Sequence, residues 1–332
     1  MRDDSATDRE ASLAIRAAWL HYAGGLTQAN VAKQLGIANV KAHRLIARAT
    51  QAGAVKVTIE GDVAECMELE AELAERFGLS YCEVTPDLLE DGLPVRALGV
   101  AGAAFLKREI ENGNSSIIGV GHGRTLAAVV RQLTKVDAGN VKFVSLLGGV
   151  NRNYAANPYE VIHRLADRTG ATAYVMPVPV FANSVEDREV LLSQRGVQDV
   201  FDLAAKSELK FVGIGTAKPD ASNVSTGMIE PAELDEVLAR GGVGELLGNF
   251  FDAGGASVET SLTERTLSVS LEDSRGTRIV AVAGGKEKIG AIRSVLMSGR
   301  LAGLITDERT ASALVGKLVA EQKTNGRKPT NV

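Results

Sequence analysis

Beyond residue 80, short apolar segments of strand length alternate with amphipathic helical segments, and glycine-rich loops separate them. The predicted strands are Ser116–Val120, Val141–Leu147, Ala171–Met176, Leu209–Ile214, Arg278–Ala283 and Leu301–Ile305. The predicted helices are Leu126–Leu133, Pro158–Thr169, Ala232–Arg240, Lys286–Met297 and Glu308–Gln322. Apolar strands that alternate with helices are typical of a doubly wound, mostly parallel sheet. We therefore predict an α/β domain over residues 61–322, followed by a disordered tail over 323–332.

Residues 1–60 have a helical pattern and are predicted to form a separate small domain. Residues 1–10 are polar and are predicted to be a tail. A helix is predicted over Leu13–Tyr22, and its apolar face consists of Leu13, Ala17 and Leu20. Trp19, the single tryptophan, is assigned to the core of this domain rather than to a surface that stacks on bases. Ala54–Ile59 alternates like a wing strand, and Glu68–Phe77 is a predicted linker helix.

The segment 27–49, TQANVAKQLGIANVKAHRLIARA, has the pattern of a helix-turn-helix. Thr27 can cap the first helix, Gly36 allows the positive φ of the turn, and Ala32 is small where the helices cross. The predicted core is Val31, Leu35, Ile37, Ala42, Leu45 and Ile46. That core leaves the first turns of the following helix free to reach base edges in the major groove. The predicted DNA-contacting residues are Thr27, Gln28, Asn39, Val40, Lys41, His43, Arg44 and Arg48.

The charge distribution supports this interpretation. Between Ala11 and Ile59 there are six basic residues and no acidic residue, whereas the whole chain has 37 basic and 41 acidic residues. Lys41, Arg44 and Arg48 form one basic stripe suited to phosphates. A basic head on an acidic body predicts that only the head meets a polyanion, double-stranded DNA. Helical hairpins with a glycine turn also occur in proteins that never touch DNA, and that alternative stays open.

The segment 117–126, IIGVGHGRTL, is the most informative motif of the α/β domain. A buried strand runs into a glycine loop, and a helix begins near Thr125. Glycines let the backbone approach a ligand, and a helix N-terminus presents free N–H groups to a phosphate or to hydroxyls. Arg124 can add a charged fork, and Thr125 a hydroxyl. We predict that Gly121, His122, Gly123, Arg124 and Thr125 bind an effector.

This loop has two other interpretations. The first is a tight turn that needs glycine for its geometry alone. The second is a dinucleotide site, which is disfavoured because Arg124 fills the third glycine position of that fingerprint. The next strand also ends in Gly148-Gly149 without an acidic residue for a ribose. Gly148, Gly149 and Gly215, which follow other strands at the same edge, are predicted to complete the pocket.

The head together with the α/β body resembles the SorC family of bacterial sugar-sensing regulators, from about residue 12 to 322. The segments AVAGGKEKIGAI and LITDERTA resemble its ligand loops, and GELLGNFFDAGG resembles another family segment. The resemblance implies that Lys288 contacts a phosphate or hydroxyl and that Asp252 faces the ligand. It also implies that Asp307 caps the last helix near the pocket. For Lys286, in the same loop as Lys288, a solvated side chain is the alternative to a ligand contact.

The same resemblance implies that the glycine loop holds the phosphate of a ligand, as in sugar-phosphate isomerases. The chain departs from the family at three positions. Ala38 and Ala42 stand where the family usually has Ser or Thr in the recognition helix, which affects the operator sequence. His122 stands where the family often has Trp, which affects how a sugar ring packs.

The expected function is therefore a DNA-binding regulator of a carbohydrate or sugar-alcohol operon, controlled by a sugar, polyol or sugar phosphate. The alternative is a sugar-phosphate isomerase or deaminase, with Asp252 or Glu245 as general base. We expect no catalytic residue, cofactor or metal, and a homodimer or homotetramer. Cys66 and Cys82 match neither zinc-site spacing nor a disulfide scaffold. The apolar runs are too short to span a membrane, and no signal peptide is expected. A cytoplasmic location is expected.

Overall fold

The computed structural model describes residues 4–55, 64–90, 92–149, 159–271 and 277–316. The chain divides into two compact units, Met1–Gly61 and Asp62–Val332.

The first unit contains three helices: α1 (Asp4–Tyr22), α2 (Gln28–Leu35) and α3 (Asn39–Gln51). The side chain of Thr27 accepts a hydrogen bond from the backbone N–H of Asn30 at 3.3 Å, which caps α2 as predicted. Gly36 ends α2 with a φ of 65°, the left-handed conformation that the turn requires. Val31, Ala42, Leu45 and Ile46 are buried, and Leu35 and Ile37 pack against them half-buried. The predicted helix-turn-helix is present.

Two predictions for the start of the chain were wrong. Residues 4–10 belong to α1 rather than to a tail. Trp19 is 64% exposed rather than in the core. The core face of α1 includes Ala14, Ala17 and Ala18. Because an α-helix has 3.6 residues per turn, Trp19 lies on the opposite face, with Ile15 and Tyr22.

Several predicted segments fall outside the described residues. They include most of the wing strand, Lys56, Pro158, the end of the last predicted helix and the tail 323–332.

The second unit contains eleven strands among its described residues. They are β1 (Tyr81–Thr85), β2 (Ile117–Val120), β3 (Lys142–Ser145), β4 (Ala173–Tyr174), β5 (Leu209–Val212), β6 (Gly215–Thr216), β7 (Gly244–Leu246), β8 (Asn249–Phe251), β9 (Ser257–Val258), β10 (Arg278–Val282) and β11 (Gly303–Asp307). Seven form one sheet in the order β1-β11-β10-β5-β2-β3-β4, with every pair parallel. The predicted parallel sheet and its six strands are confirmed, and β1 is an additional edge strand.

Helices connect these strands and cover the sheet. They are α4 (Ala64–Phe77), α5 (Val95–Asn112), α6 (Arg124–Gln132), α7 (Ile162–Thr169), α8 (Val185–Leu192), α9 (Arg195–Ala205), α10 (Ser222–Ser225), α11 (Pro231–Ala239), α12 (Ile289–Met297) and α13 (Glu308–Val315). The predicted linker helix begins earlier than expected, at Ala64. The predicted helix Lys286–Met297 starts with a 3-10 turn over Lys286–Lys288, and the α-helix follows.

A second, antiparallel sheet, which the sequence did not predict, has the order β6-β7-β8-β9. Leu247 and Gly248 connect β7 to β8 with φ angles of 51° and 78°. Two consecutive positive φ angles are typical of a two-residue hairpin turn. Because β6 follows β5 directly, this sheet begins at the carboxyl edge of the parallel sheet.

The strand order places a crevice at a defined point of the parallel sheet. From β2 the chain continues to β3 and β4 on one side, and from β5 to β10 and β11 on the other. The direction of winding therefore changes between β2 and β5. In open α/β sheets, ligands bind outside the carboxyl ends of the strands at such a switch point. The predicted glycine loop leaves β2 at this position.

Candidate effector pocket and DNA-binding face

The helix-turn-helix presents one polar face to solvent. Asn39, Val40, Lys41, His43 and Arg44 in the first turns of α3 are all exposed, as are Thr27 and Gln28 at the start of α2. A shallow concavity of this surface is lined by Gln28, Asn39, Val40, His43, Arg44 and Ala47. The structure thus brings together residues from both helices that the sequence singled out.

The predicted basic stripe on α3 is not uniform. Lys41 and Arg44 are exposed. Arg48, in contrast, forms an ion pair with Glu10 of α1, with 2.9 Å between Nη1 and Oε2. An exposed ion pair contributes little to stability, but the carboxylate of Glu10 beside Arg48 repels an approaching phosphate. Lys41 and Arg44 are therefore the stronger candidates for phosphate contacts.

In the second unit a cavity of about 570 Å³, including its open mouth, lies at the switch point between β2 and β5. Seven predicted effector residues line it: Gly121, His122, Gly123, Arg124, Thr125, Gly215 and Lys288. Eight residues outside the predicted set also line it: Leu126, Leu147, Gly213, Ile214, Ser222, Asn223, Glu245 and Leu247. Of these, Glu245 is the residue that the alternative enzyme interpretation uses as a general base.

The glycine loop forms one wall of this cavity. Gly123 is the N-cap of α6 and has a φ of 126°, a conformation that side chains rarely adopt. Its N–H donates to the carbonyl of Tyr159 at 3.3 Å, which ties the loop to the segment before α7. Arg124 is exposed at the first position of α6, while Thr125 is buried behind it. A helix N-terminus with an arginine in its first turn suits an anionic group.

Lys288 faces this wall from the loop after β10. Its Nζ donates to the carbonyl oxygen of Ile214 at 2.5 Å. Burial and the nearby charge of Arg124 lower the pKa of Lys288 to about 8, against an opposing effect of Glu245. Two cations thus face one cavity and repel each other. An anion bound between them would relieve that repulsion.

Glu245 provides a carboxylate in the same cavity. It is buried on β7, and its Oε1 accepts a hydrogen bond from the N–H of Gly248 at 2.6 Å. The amide of Asn223 approaches Oε2 at 3.4 Å. Burial raises the pKa of Glu245, although Gly248, Lys288 and Asn223 favour its charged form. Its position across from the cations suits the acceptance of hydrogen bonds from ligand hydroxyls.

His122 is half-buried at the cavity wall. Burial lowers its pKa, while the carboxylate of Glu160 acts in the opposite direction. Glu160 Oε1 accepts hydrogen bonds from the N–H groups of Val161 and Ile162 and so caps α7. A mostly neutral imidazole can both donate to and accept from a hydroxyl group.

The remaining four predicted effector residues lie outside this cavity. Gly148 is buried, and a β-carbon there would overlap the carbonyl of Pro179. A β-carbon on Gly149 would lie 2.7 Å from Oε2 of Glu160. The charge of this carboxylate opposes the lowering of the His122 pKa. Both glycines serve close packing in this structure.

Asp252 lies in the turn between β8 and β9, beyond the end of β8 that is away from the cavity. Its Oδ1 accepts from the N–H groups of Gly254 and Ala256, both at 2.9 Å. Such bonds are typical of an aspartate that stabilises a turn. The carboxylate that does line the cavity belongs to Glu245, seven residues earlier.

Asp307 caps α13, as expected: its Oδ1 accepts from the N–H of Thr310 at 3.0 Å. Its Oδ2 also accepts from the N–H of Gly285 at 3.0 Å. A β-carbon on Gly284 would overlap the same carboxylate. Asp307 therefore shapes the loop that carries Lys288, without lining the cavity. Lys286 in this loop is exposed.

The described residues contain no group of three or more His, Cys, Asp or Glu that could hold a metal ion. Among those same residues, no helix is long and apolar enough to cross a membrane.

Comparison with known proteins decides the family. The family model "Putative sugar-binding domain" matches residues 61–316. The chain belongs to the SorC-like family of sugar-binding transcriptional regulators. The full-length sorbitol operon regulator SorC from Klebsiella pneumoniae has the same fold, with a TM-score of 0.67 and 27% identity. That match covers 92% of this chain and 99% of SorC.

Two curated members of the family extend the comparison. The erythritol catabolism regulatory protein EryD of Brucella abortus is 60% identical over 310 residues, which is 93% of this chain and 98% of EryD. The transcriptional regulator LsrR of Klebsiella pneumoniae subsp. pneumoniae is 32% identical over 311 residues, or 92% of this chain and 93% of LsrR. These matches include the helix-turn-helix as well as the α/β unit. The predicted resemblance to SorC-type regulators is confirmed.

Proposed function

We propose that this protein is an operator-binding regulator of small-polyol catabolism and that its effector is a phosphorylated polyol of about four carbons. The observation that carries the proposal is the pair of cations, Arg124 and Lys288, that face one cavity beside the N-terminus of α6. The side of the cavity formed by these cations suits a phosphate. Glu245 and Asn223, which line the same cavity, suit hydroxyl groups.

The choice of polyol rests on similarity. A relative that is 60% identical over nearly its whole length is named as the regulator of erythritol catabolism. Erythritol has four hydroxyl groups and no ring. Its phosphate ester would combine one strong anion with several hydroxyls, and these are the two chemistries that the cavity offers.

The proposal assigns DNA binding to the first unit, through its exposed residues Gln28, Asn39, Lys41, His43 and Arg44. One helix-turn-helix reads few bases, so at least two copies of the chain would bind together. Half-sites about 34 Å apart, one turn of the double helix, would match a two-fold dimer. Such a regulator would act in the cytoplasm, where operator DNA is accessible.

The proposal also includes binding without turnover. Glu245 is the residue that would serve as general base in an isomerase, because it is buried in the cavity and its pKa is raised. Its two oxygens are, however, engaged by Gly248 and Asn223. General acid–base catalysis of isomerisation needs a proton donor as well, and His122 and Lys288 line the same cavity, so recovery of the ligand unchanged is the test of binding without turnover.

Isothermal titration calorimetry tests this proposal with erythritol, erythritol 4-phosphate, sorbitol 6-phosphate and inorganic phosphate. Erythritol 4-phosphate is expected to bind more tightly than erythritol by tenfold or more, because charge-assisted bonds contribute about 1.5–3 kcal/mol. It should be recovered chemically unchanged. Equal affinity for erythritol and its phosphate would contradict a phosphate-binding cavity, and conversion of the ligand would support the enzyme interpretation.

A further inference from the structure

Val40 has an unusual environment for an apolar residue. It is 82% exposed, the highest value among the exposed large hydrophobic residues of the described chain. It occupies the second position of α3, in the first turn of the recognition helix. A β-branched residue is also a poorer helix former than alanine. The fold of the unit therefore gives no reason for a valine at this position.

The neighbours of Val40 define the kind of partner that would cover it. It lines the shallow concavity with Gln28, Asn39, His43 and Arg44, which carry hydrogen-bond donors and a cation. No acidic residue occurs between Ala11 and Ile59. An apolar group among hydrogen-bonding side chains and positive charge complements a DNA major groove, whose edges expose donors, acceptors and one apolar group between the flanking phosphates.

That apolar group is the 5-methyl of thymine. It projects into the major groove and distinguishes an A·T pair from the other pairs at that edge. We propose that Val40 packs against a thymine methyl and thereby specifies thymine at one position of each half-site. This inference rests on the proposed DNA binding, and adds to it the identity of one base and the residue that reads it.

The N-terminus of α3 favours such a contact. The N-cap is Ala38, a small residue, so no large side chain precedes Asn39 and Val40 at the start of the helix. Asn39 and His43, which line the same concavity as Val40, would hydrogen-bond neighbouring bases. The valine contributes shape and exclusion of water rather than a hydrogen bond.

The experiment has two steps and uses the full-length chain. In the first, binding sites are selected from randomised duplex DNA by the wild-type protein, by Val40→Ala and by Val190→Ala. Val190 is a matched control, because it is 59% exposed on α8 of the other unit. In the second step, each thymine of the selected half-site is replaced in turn by deoxyuridine, which removes only the methyl group. Affinities are measured by fluorescence anisotropy.

At one thymine per half-site, deoxyuridine should weaken wild-type binding by about three- to fivefold, the effect of one buried methyl-sized group. Val40→Ala should weaken both the selection for thymine and this sensitivity, because its shorter side chain covers less of the methyl, and Val190→Ala should keep both. The inference would be overturned if wild type and Val40→Ala select the same bases at every position, or if deoxyuridine has no effect on wild type at any thymine. If the wild-type protein enriches no sequence at all, the proposed DNA binding itself fails.

Discussion

Gly215 and Glu245 occupy paired positions on the neighbouring antiparallel strands β6 and β7. A β-carbon on Gly215 would overlap Oε2 of the Glu245 carboxylate. The absence of a side chain at Gly215 therefore allows the carboxylate to reach the cavity. Gly213, two residues earlier, also lines the cavity, but a β-carbon there would meet only the carbonyl oxygen of His122 at 3.9 Å.

Gly215→Ala should consequently push Glu245 out of place and lower effector affinity by tenfold or more. Gly213→Ala is the matched control and should bind the effector almost as wild type does. Calorimetric titration of both variants with erythritol 4-phosphate measures the difference. Equal losses in the two variants would mean that the edge of the sheet tolerates no β-carbon, and that the Glu245 contact has no special role.

Two carboxylates near this sheet should behave in opposite ways. Glu245→Gln replaces the cavity acceptor by an amide and should weaken polyol binding by about tenfold, the loss expected for a hydrogen bond to a charged group. Asp252 lies in the β8–β9 turn and not at the cavity. Asp252→Asn should therefore weaken the turn but leave effector affinity unchanged. A thermal-shift titration of both variants with the same ligand checks this. If Asp252→Asn loses affinity and Glu245→Gln does not, the ligand lies elsewhere.

The sequence predicted the glycine-loop wall of the cavity better than the position of Glu245. The glycine loop was recognisable because strand, glycines, Arg124 and helix are contiguous, and local sequence determines their geometry. Glu245 was not placed in the cavity because its position depends on the pairing of β6 with β7. Those strands have two and three residues, which is too short for an alternating pattern to be visible.

The first unit shows the same limit. Gly36 and Thr27 predicted the turn and the cap, because their effects are local. The exposure of Trp19 was missed because a tryptophan is usually assigned to a core by its type. The helical period of α1 nevertheless places Trp19 opposite the face of Ala14, Ala17 and Ala18, so the periodicity predicted its exposure better than the residue type did.

Effector binding should depend on pH through Lys288. Its pKa in the free protein is about 8, because burial and Arg124 disfavour the charged form. A phosphate requires that charge, so affinity for erythritol 4-phosphate should fall as the pH rises from 7 to 9.5. The phosphate is already a dianion over this range, since its second pKa is about 6. Calorimetry at half-unit intervals measures the decline, and a flat profile would argue against Lys288 as a phosphate ligand.

Lys288→Met is the control for this pH dependence. Its affinity should be low and flat with pH. Without effector, the folded protein holds the Lys288 proton less tightly than the unfolded chain, whose lysine has a pKa near 10.5. Lys288 therefore lowers the free energy of unfolding by its full amount below pH 8, and this loss of stability disappears as the pH rises towards 10.5. The free energy of unfolding of wild type should accordingly increase relative to that of Lys288→Met between pH 8 and 10.5.

The basic residues of α3 should differ in their effect on DNA binding. Lys41→Ala and Arg44→Ala should each lower the slope of log K against log salt concentration by about one unit, the value of one phosphate contact. Arg48→Ala should change it less, because Arg48 is paired with Glu10. Anisotropy titrations between 50 and 300 mM salt would give the three slopes (roughly the range over which counterion release is linear). Equal slopes in wild type and all variants would contradict the prediction that this face of α3 contacts DNA.

The central claim is that a ligand in the cavity of the second unit changes operator binding by the first. An anisotropy titration of selected operator DNA, with and without saturating erythritol 4-phosphate, tests it most directly. The account predicts that the ligand changes the operator Kd of wild type by about tenfold, in either direction, within the usual range of allosteric coupling. Lys288→Met should bind the operator as wild type does without ligand and should show no change when ligand is added. An identical shift in Lys288→Met, or no shift in wild type, would contradict the account.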